Sequence, residues 1–306
     1  MSLTAPARWS TAISRIRLEG ADARRFLHGQ SSQAIELAAS GACLPTCLIS
    51  PTGRMRALAL VRPDDTGADL LVVAGDGAAV HQALDRVLFP ADRVKLGPVE
   101  AVTLVRWIGA AASENAPQLL APGVDLGAGT TQQAWLQQQG EPLPTWLEAL
   151  PELSAEAVEQ LRLCQGFPAA PGELNDSTNP FELGLAPWVS LNKGCYVGQE
   201  TLAKLATYDG VKQQLRHWRC GDGDGGSVAP GTTLFTASGE RAGVITSAFL
   251  AGADGLEGLA LVRRSALDAA ELYAGGADEP ADDKVALQIN MPAGFVAPPV
   301  GAGGLG

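Results

Sequence analysis

Histidine is scarce in this 306-residue chain, which has only His28, His81 and His217. A Ser–His–Asp or Cys–His acyl-transfer machine needs one of them beside its nucleophile. His81 falls mid-helix beside an apolar face, His217 falls in an expected strand, and His28 precedes Gly29-Gln30; none of these settings suggests such chemistry. Cysteine is also sparse. The five residues at 43, 47, 164, 195 and 220 form an odd set without a C-x-x-C pair. That pattern argues against a disulfide framework and suits free thiols in a reducing compartment. Cys43 and Cys47 could supply half a metal site, but no second His/Cys pair accompanies them, so no stably bound metal or cluster is expected. The chain has no run of 18 apolar residues and no charged-then-apolar leader, which predicts a soluble, cytoplasmic protein without membrane contact.

Acidic residues dominate what is there. The net charge is −11, which argues against direct nucleic-acid binding through a basic surface. The imbalance is uneven: residues 1–62 carry eight Arg against Glu19, Asp22 and Glu36, a balance of +5, while the rest stands at −16. Arg54 and Arg56 therefore become candidates for holding an anionic ligand. Hydrophobic residues make up 46%, enough for a large core and two or three domains.

One stretch concentrates chemistry: Lys193-Gly194-Cys195-Tyr196-Val197-Gly198-Gln199-Glu200. A cation, a thiol, a phenol, an amide and a carboxylate lie within eight residues, and glycines flank the thiol. Thr201 to Ala206 are good helix formers, which places Cys195 on a loop ahead of a helix N-terminus. A helix start and a neighbouring lysine both favour a thiolate, so Cys195 is the candidate reactive group with Lys193 as its activator.

The remaining pattern predicts an α+β chain. Ile13–Glu19, Leu44–Ile49, Met55–Val61, Leu70–Ala74 and Val102–Ile108 read as strands. Asp22 caps a short helix stopping at Gly29, and Ala78–Leu88 carries apolar residues at helical spacing. Gly75-Asp76-Gly77 lacks the third glycine of a dinucleotide fingerprint and reads as a turn. Strands around two helices in this order suggest a ferredoxin-like lobe. Residues 109–146 are rich in Gly, Gln, Pro and Ala and say little. A helix is expected over Ala155–Gln165, ending at Gly166. Leu215–Cys220, Thr232–Phe235, Gly243–Ser247, Gly258–Arg263 and Val285–Ile289, separated by turns such as 221–226, suggest a small β-barrel. The Gly/Pro/Ala-rich end, 292–306, reads as a disordered tail.

The segment 193–200 resembles the K-G-C-Y/F-x-G-Q-E signature of the YgfZ family of folate-binding proteins, which are related to the glycine-cleavage T-protein. All eight positions match. Gly20 to Gln30 is similar to that family's G-x-D-x-x-x-F-L-x-G-Q segment, and Ser50-Pro51-Thr52-Gly53-Arg54 to its next turn. Asn179 to Leu185 and Thr207 to Gln213 resemble the plastid and cyanobacterial branch. Two positions depart from the pattern: Lys204 stands where the family often has Arg, and Trp9 only loosely matches a family tryptophan.

This resemblance implies two ferredoxin-like lobes forming a folate-binding core, 1–108 and 109–213, followed by a β-barrel at 214–291. It implies tetrahydrofolate or a one-carbon derivative as cofactor. Gln30, Asn179 and Glu182 are the implied partners of the pterin, Arg54 and Arg56 of the glutamate tail, and Tyr196, Gln199 and Glu200 of ligand or partner at the loop. The implied role is accessory: assembly or repair of iron–sulfur clusters, with client or assembly proteins as partners. Two alternatives stand beside it, a tetrahydrofolate-dependent aminomethyltransferase and an indirect role in tRNA modification.

Overall fold

The computed structural model describes residues 6–108, 120–125, 131–138, 140–221, 228–250, 255–276 and 284–301. They fall into two compact units. One runs to Ser154 and includes Pro187–Ala203; the other comprises Ala155–Ala186 and the chain from Lys204 onward.

The first unit is built on one antiparallel sheet. Its strands are β1 (Ala7–Glu19), β2 (Leu44–Ile49), β3 (Met55–Asp64), β4 (Gly67–Ala74), β5 (Lys95–Ile108), β6 (Leu120–Asp125) and β7 (Thr131–Gln137). Their spatial order is β2-β3-β4-β1-β5-β7-β6. Helices α1 (Ala23–Gln30) and α2 (Gly77–Asp85) share one apolar cluster: Ala23, Leu27, Val80 and Leu84 pack with Ile16, Leu18, Ala59, Leu70 and Val72. Both helices therefore cover the same sheet face, as amphipathic helices must to bury their apolar stripes. The boundary expected at 108 coincides with the end of β5, but β5 pairs onward with β7, so the sheet continues past it. A single helical turn, α3 (Thr145–Glu148), brings Leu147 against Val105 and Trp107.

Local signals resolve as follows. Asp76 caps α2, its carboxylate accepting from the N–H groups of Ala78 and Ala79. A Cβ on Gly77 would stand 2.3 Å from Ser14 Oγ, so this glycine serves close packing of helix on strand. Asp22 does not cap α1 with its side chain. Its carboxylate instead accepts from the Arg93 guanidinium and backbone, which draws it below the ordinary carboxylate range. The helix passes Gly29 and ends at Gln30.

The second unit contains α4 (Ala155–Gln165), the helix expected there, and a closed barrel. Between the units' sequence segments runs α5 (Gln199–Thr207). Barrel strands are β8 (Gln213–Cys220), β9 (Thr233–Phe235), β10 (Arg241–Leu250), β11 (Leu256–Arg263), β12 (Glu271–Gly275) and β13 (Val285–Asn290), closing in the order β10-β11-β8-β13-β12-β9. Five match the strands expected from the sequence. The sixth, β12, closes the ring by pairing with β9 and β13. The turn expected at 221–226 lies largely outside the described residues.

The tail differs from expectation. Over 292–301 it packs on its own unit: Ala293 N–H donates to Cys164 O, Gly294 N–H to Gln165 O and Val296 N–H to Gly184 O. Phe295 lies against Gly184, where a Cβ would come within 2.3 Å of its ring, and beneath the Arg216 guanidinium. A Gly/Pro/Ala composition hides this anchoring because the contacts come from one aromatic ring and backbone groups.

At the centre of the barrel Trp218 is fully buried, and its indole N–H is shared between the carbonyls of Ser247 and Leu259. Gly258 leaves room for it: a Cβ there would stand 1.9 Å from Ser247 O and 2.8 Å from the indole. Gly258→Ala is expected to cost roughly 2–3 kcal/mol through overpacking, read as a lowered midpoint in urea denaturation.

Candidate functional site

Three of the segments singled out in the sequence meet in the first unit. Val197 N–H donates to Gly29 O at 3.0 Å, which lays the 193–200 loop on the end of α1. Gly198 has φ +79°, and a Cβ there would stand 2.6 Å from Ser50 O, so the loop passes the Ser50–Arg54 turn where only glycine fits. Gly53, at φ +73°, faces Thr201 at the start of α5.

Lys193 is the anchor. Its side chain is buried, with 8% exposure, and Nζ donates to Ser31 O at 2.6 Å, Gln33 O at 2.8 Å and His28 O. These carbonyls belong to the last turn of α1 and the chain just beyond it. That helix end leaves carbonyls without intrahelical partners and carries the negative end of the helix dipole. The cation also sits 4.5 Å from the centroid of the Tyr196 ring. Burial pushes the Lys193 ammonium down to about 7, against the pull of the three carbonyls. From sequence, Lys193 is expected to favour the Cys195 thiolate; its ammonium is instead committed to main-chain carbonyls, and it organises the loop that presents Cys195.

Cys195 is exposed, as is Gly194 before it. The other cysteines of this unit differ: burial pushes the Cys47 thiol up to about 12 and Cys43 up to about 11. Tyr196 turns inward, 7% exposed, and its buried hydroxyl has no hydrogen-bond partner among the described residues. Burial raises its pKa further above the ordinary phenol value, with Cys47 nearby adding to the effect. Gln199 opens α5 and its side-chain amide donates to Lys193 O at 3.3 Å. Glu200 is exposed in the first turn of α5, where the helix dipole favours a carboxylate. Gln30 is half-buried at the last position of α1, and Arg54 is half-buried beside the turn in which its own N–H donates to Ser50 Oγ.

Asn179 and Glu182 belong to the other unit. Asn179 Oδ1 accepts from the N–H groups of Phe181 and Glu182, while a Glu182 carboxylate oxygen accepts from Asn179 N–H at 2.9 Å. This is the reciprocal pattern of a capping box, and both side chains are buried. Their first task is therefore to hold the Asn179–Leu185 turn.

Sequence reasoning missed Ser32. Its fully buried hydroxyl donates to Trp188 O at 2.7 Å and accepts from Cys47 N–H, and its carbonyl accepts from Ser190 N–H. These bonds fix the chain entering the loop. The available signal was a Ser-Ser pair directly after a helix end, a place where hydroxyls replace missing helical partners.

Residues 222–293 match the model of the CAF17 C-terminal β-barrel domain. The chain is 30% identical over 262 residues to a putative transferase, At1g60990, chloroplastic, of Arabidopsis thaliana. That alignment covers 77% of this chain, and the chain spans 60% of the relative's length. Among solved structures it is similar to the glycine cleavage system aminomethyltransferase T of Bartonella henselae, with a TM-score of 0.72 and 16% identity, over 96% of this chain and 87% of the other. The fold is thus that of the T-protein, and the C-terminal barrel is of the CAF17 type.

Lys193→Met removes the cation and leaves three carbonyls unmatched, and is expected to cost roughly 3 kcal/mol. The sign of the pH effect follows from the lowered pKa. The unfolded chain binds this proton more tightly between pH about 7 and the ordinary 10.5, so this group's contribution improves as pH rises through that window. Urea titrations at pH 7 and pH 9 should show that rise in the wild type and a flatter profile in Lys193→Met. Asn179→Ala, which frees two backbone N–H groups, is expected to cost about 1–2 kcal/mol in the same measurement.

Proposed function

We propose that this chain is a folate-binding protein of the YgfZ/CAF17 kind, acting in the cytoplasm as an accessory factor for assembly or repair of iron–sulfur clusters. The observation that carries the reading is the loop at 193–200, fastened by a buried lysine while its cysteine faces outward. A packing cysteine would be expected to lie inside, as Cys47 does. Cys195 is therefore taken as the reactive group, meeting the sulfur or metal chemistry of client or assembly proteins.

The T-protein fold and the CAF17-type barrel support a reduced folate as the ligand. The residues present suit it chemically. In the first unit Gln30 offers an amide suited to the donor and acceptor edges of a pterin, and Arg54 and Arg56 offer charge suited to the anionic tail; in the other unit Asn179 and Glu182 are an amide and a carboxylate of the kind a pterin edge takes. The Tyr196 hydroxyl is a buried polar atom still in need of a partner. Bound tetrahydrofolate would supply a carrier for a one-carbon unit. The chain's own groups would bind and orient it and keep the thiol at the surface.

A second reading, a tetrahydrofolate-dependent aminomethyltransferase, draws on the same fold and on the relative's name as a putative transferase. An effect on tRNA modification would follow indirectly, through a cluster-dependent modifying enzyme.

Calorimetry with tetrahydrofolate should give binding for wild type and for Cys195→Ser alike. In cells lacking the protein, only wild type should restore a cluster-dependent enzyme. Full restoration by Cys195→Ser would remove the thiol from the mechanism. Turnover with aminomethylated lipoyl carrier protein would favour the transferase reading instead.

A further inference from the structure

His28 is half-buried on α1, and its ring is held from one side. The backbone N–H groups of Ile35 and Glu36 both donate to Nδ1, at 3.3 and 3.2 Å. A ring nitrogen accepting hydrogen bonds carries no proton, so the neutral imidazole keeps its hydrogen on Nε2. Burial and the Lys193 ammonium both lower the ring's pKa below its ordinary value, with Glu36 opposing. Nε2 is thus a fixed N–H donor, and no described hydrogen bond engages it.

Its surroundings have been left bare. A Cβ placed on Gly194 would meet a single atom within 4 Å, His28 Nε2 at 3.9 Å. Gly194 does not occupy the left-handed region, and no neighbour forbids a side chain there. The glycine therefore serves neither backbone strain nor packing. Its missing side chain leaves the imidazole edge reachable, one residue from the exposed Cys195.

We propose that His28 is a binding residue of this loop: its Nε2–H donates to a carbonyl or carboxylate oxygen of a small molecule seated over Gly194. The ligand class rests on the folate reading, since reduced folates carry such oxygens; the donor itself rests only on the geometry of His28 and Gly194. Nothing in the family signature assigns this role to either residue.

The test uses the full chain labelled with 15N-histidine. At pH 7, long-range imidazole spectra should show Nε2 protonated and Nδ1 bare, and the Nε2 resonance should move when tetrahydrofolate is added. A protonated Nδ1 or a cationic ring would overturn the proposal whatever the ligand. His28→Phe and Gly194→Val should each weaken tetrahydrofolate binding about fivefold, the effect of one neutral hydrogen bond. His28→Gln, which keeps both an acceptor and a donor, should recover part of the loss. Unchanged affinity in both variants, with melting temperatures preserved, would sink the assignment. Should wild type not bind tetrahydrofolate, the folate reading falls alone, and Cys195 alkylation decides. Iodoacetamide has a carbonyl beside its reacting carbon and methyl iodide has none. His28→Phe should lower the ratio of their rates at Cys195, and an unchanged ratio would refute the donor.

Discussion

A buried ammonium surrounded by carbonyl oxygens holds this site together. Removing Lys193 from water costs several kcal/mol. Three charge-assisted hydrogen bonds to His28, Ser31 and Gln33 and the Tyr196 face offset part of that cost. These carbonyls need a partner in any case, because α1 ends among them and the Ser31 hydroxyl at its C-cap donates to Leu27 O instead. The lysine thus satisfies a helix end some 160 residues away in sequence and, in doing so, fixes the loop that follows it. Val197 on Gly29 and Gly198 beside Ser50 extend the same attachment. Between them, Gly194 and Cys195 are left outside.

That geometry separates two roles that the sequence merges. Read as a string, a lysine two residues from a cysteine looks like its activator. In the folded chain the cation turns inward and the sulfur stays out. Contact distance along a loop says little about side-chain direction, and the deciding partners lie in α1, where no local spacing reveals them. Asn179 and Glu182 carry a similar lesson. The N-P-F-E spacing of amide and carboxylate reads as ligand chemistry, yet it is also that of a capping box, and each side chain first satisfies the other's backbone. A Glu182 oxygen engaged in this way is held in one orientation.

Much of the fold was legible because it follows periodicity. The strands over Leu44–Ile49 and Met55–Val61, the helix over Ala155–Gln165 and five barrel strands stand close to where apolar spacing puts them. The misses share one cause, structure specified by distant partners. Strand β12, Glu-Leu-Tyr-Ala-Gly, is too short for a clear alternation and becomes a strand by bridging β9 and β13 to close the barrel. The Gln-rich β7 is recruited onto β5 in the same manner. The chain over 292–301 looks unstructured until Phe295 meets Gly184 and Arg216.

The thiols of this unit are distributed unequally between core and surface. Cys47 lies fully buried behind Ser32 and near Tyr196, and desolvation holds its proton on. Cys43 is held the same way. An electrophile or oxidant in solution reacts with thiolate that it can reach. Within this unit both conditions are denied at Cys47, half-buried Cys43 has its proton held on, and access is granted at Cys195. Selectivity for one sulfur therefore does not require that Cys195 be strongly activated; suppression of its neighbours suffices. That arrangement also explains why the anchoring cation can be used elsewhere. A site that discriminates by burial is free to place its lysine under the loop, where it sets the position of the thiol.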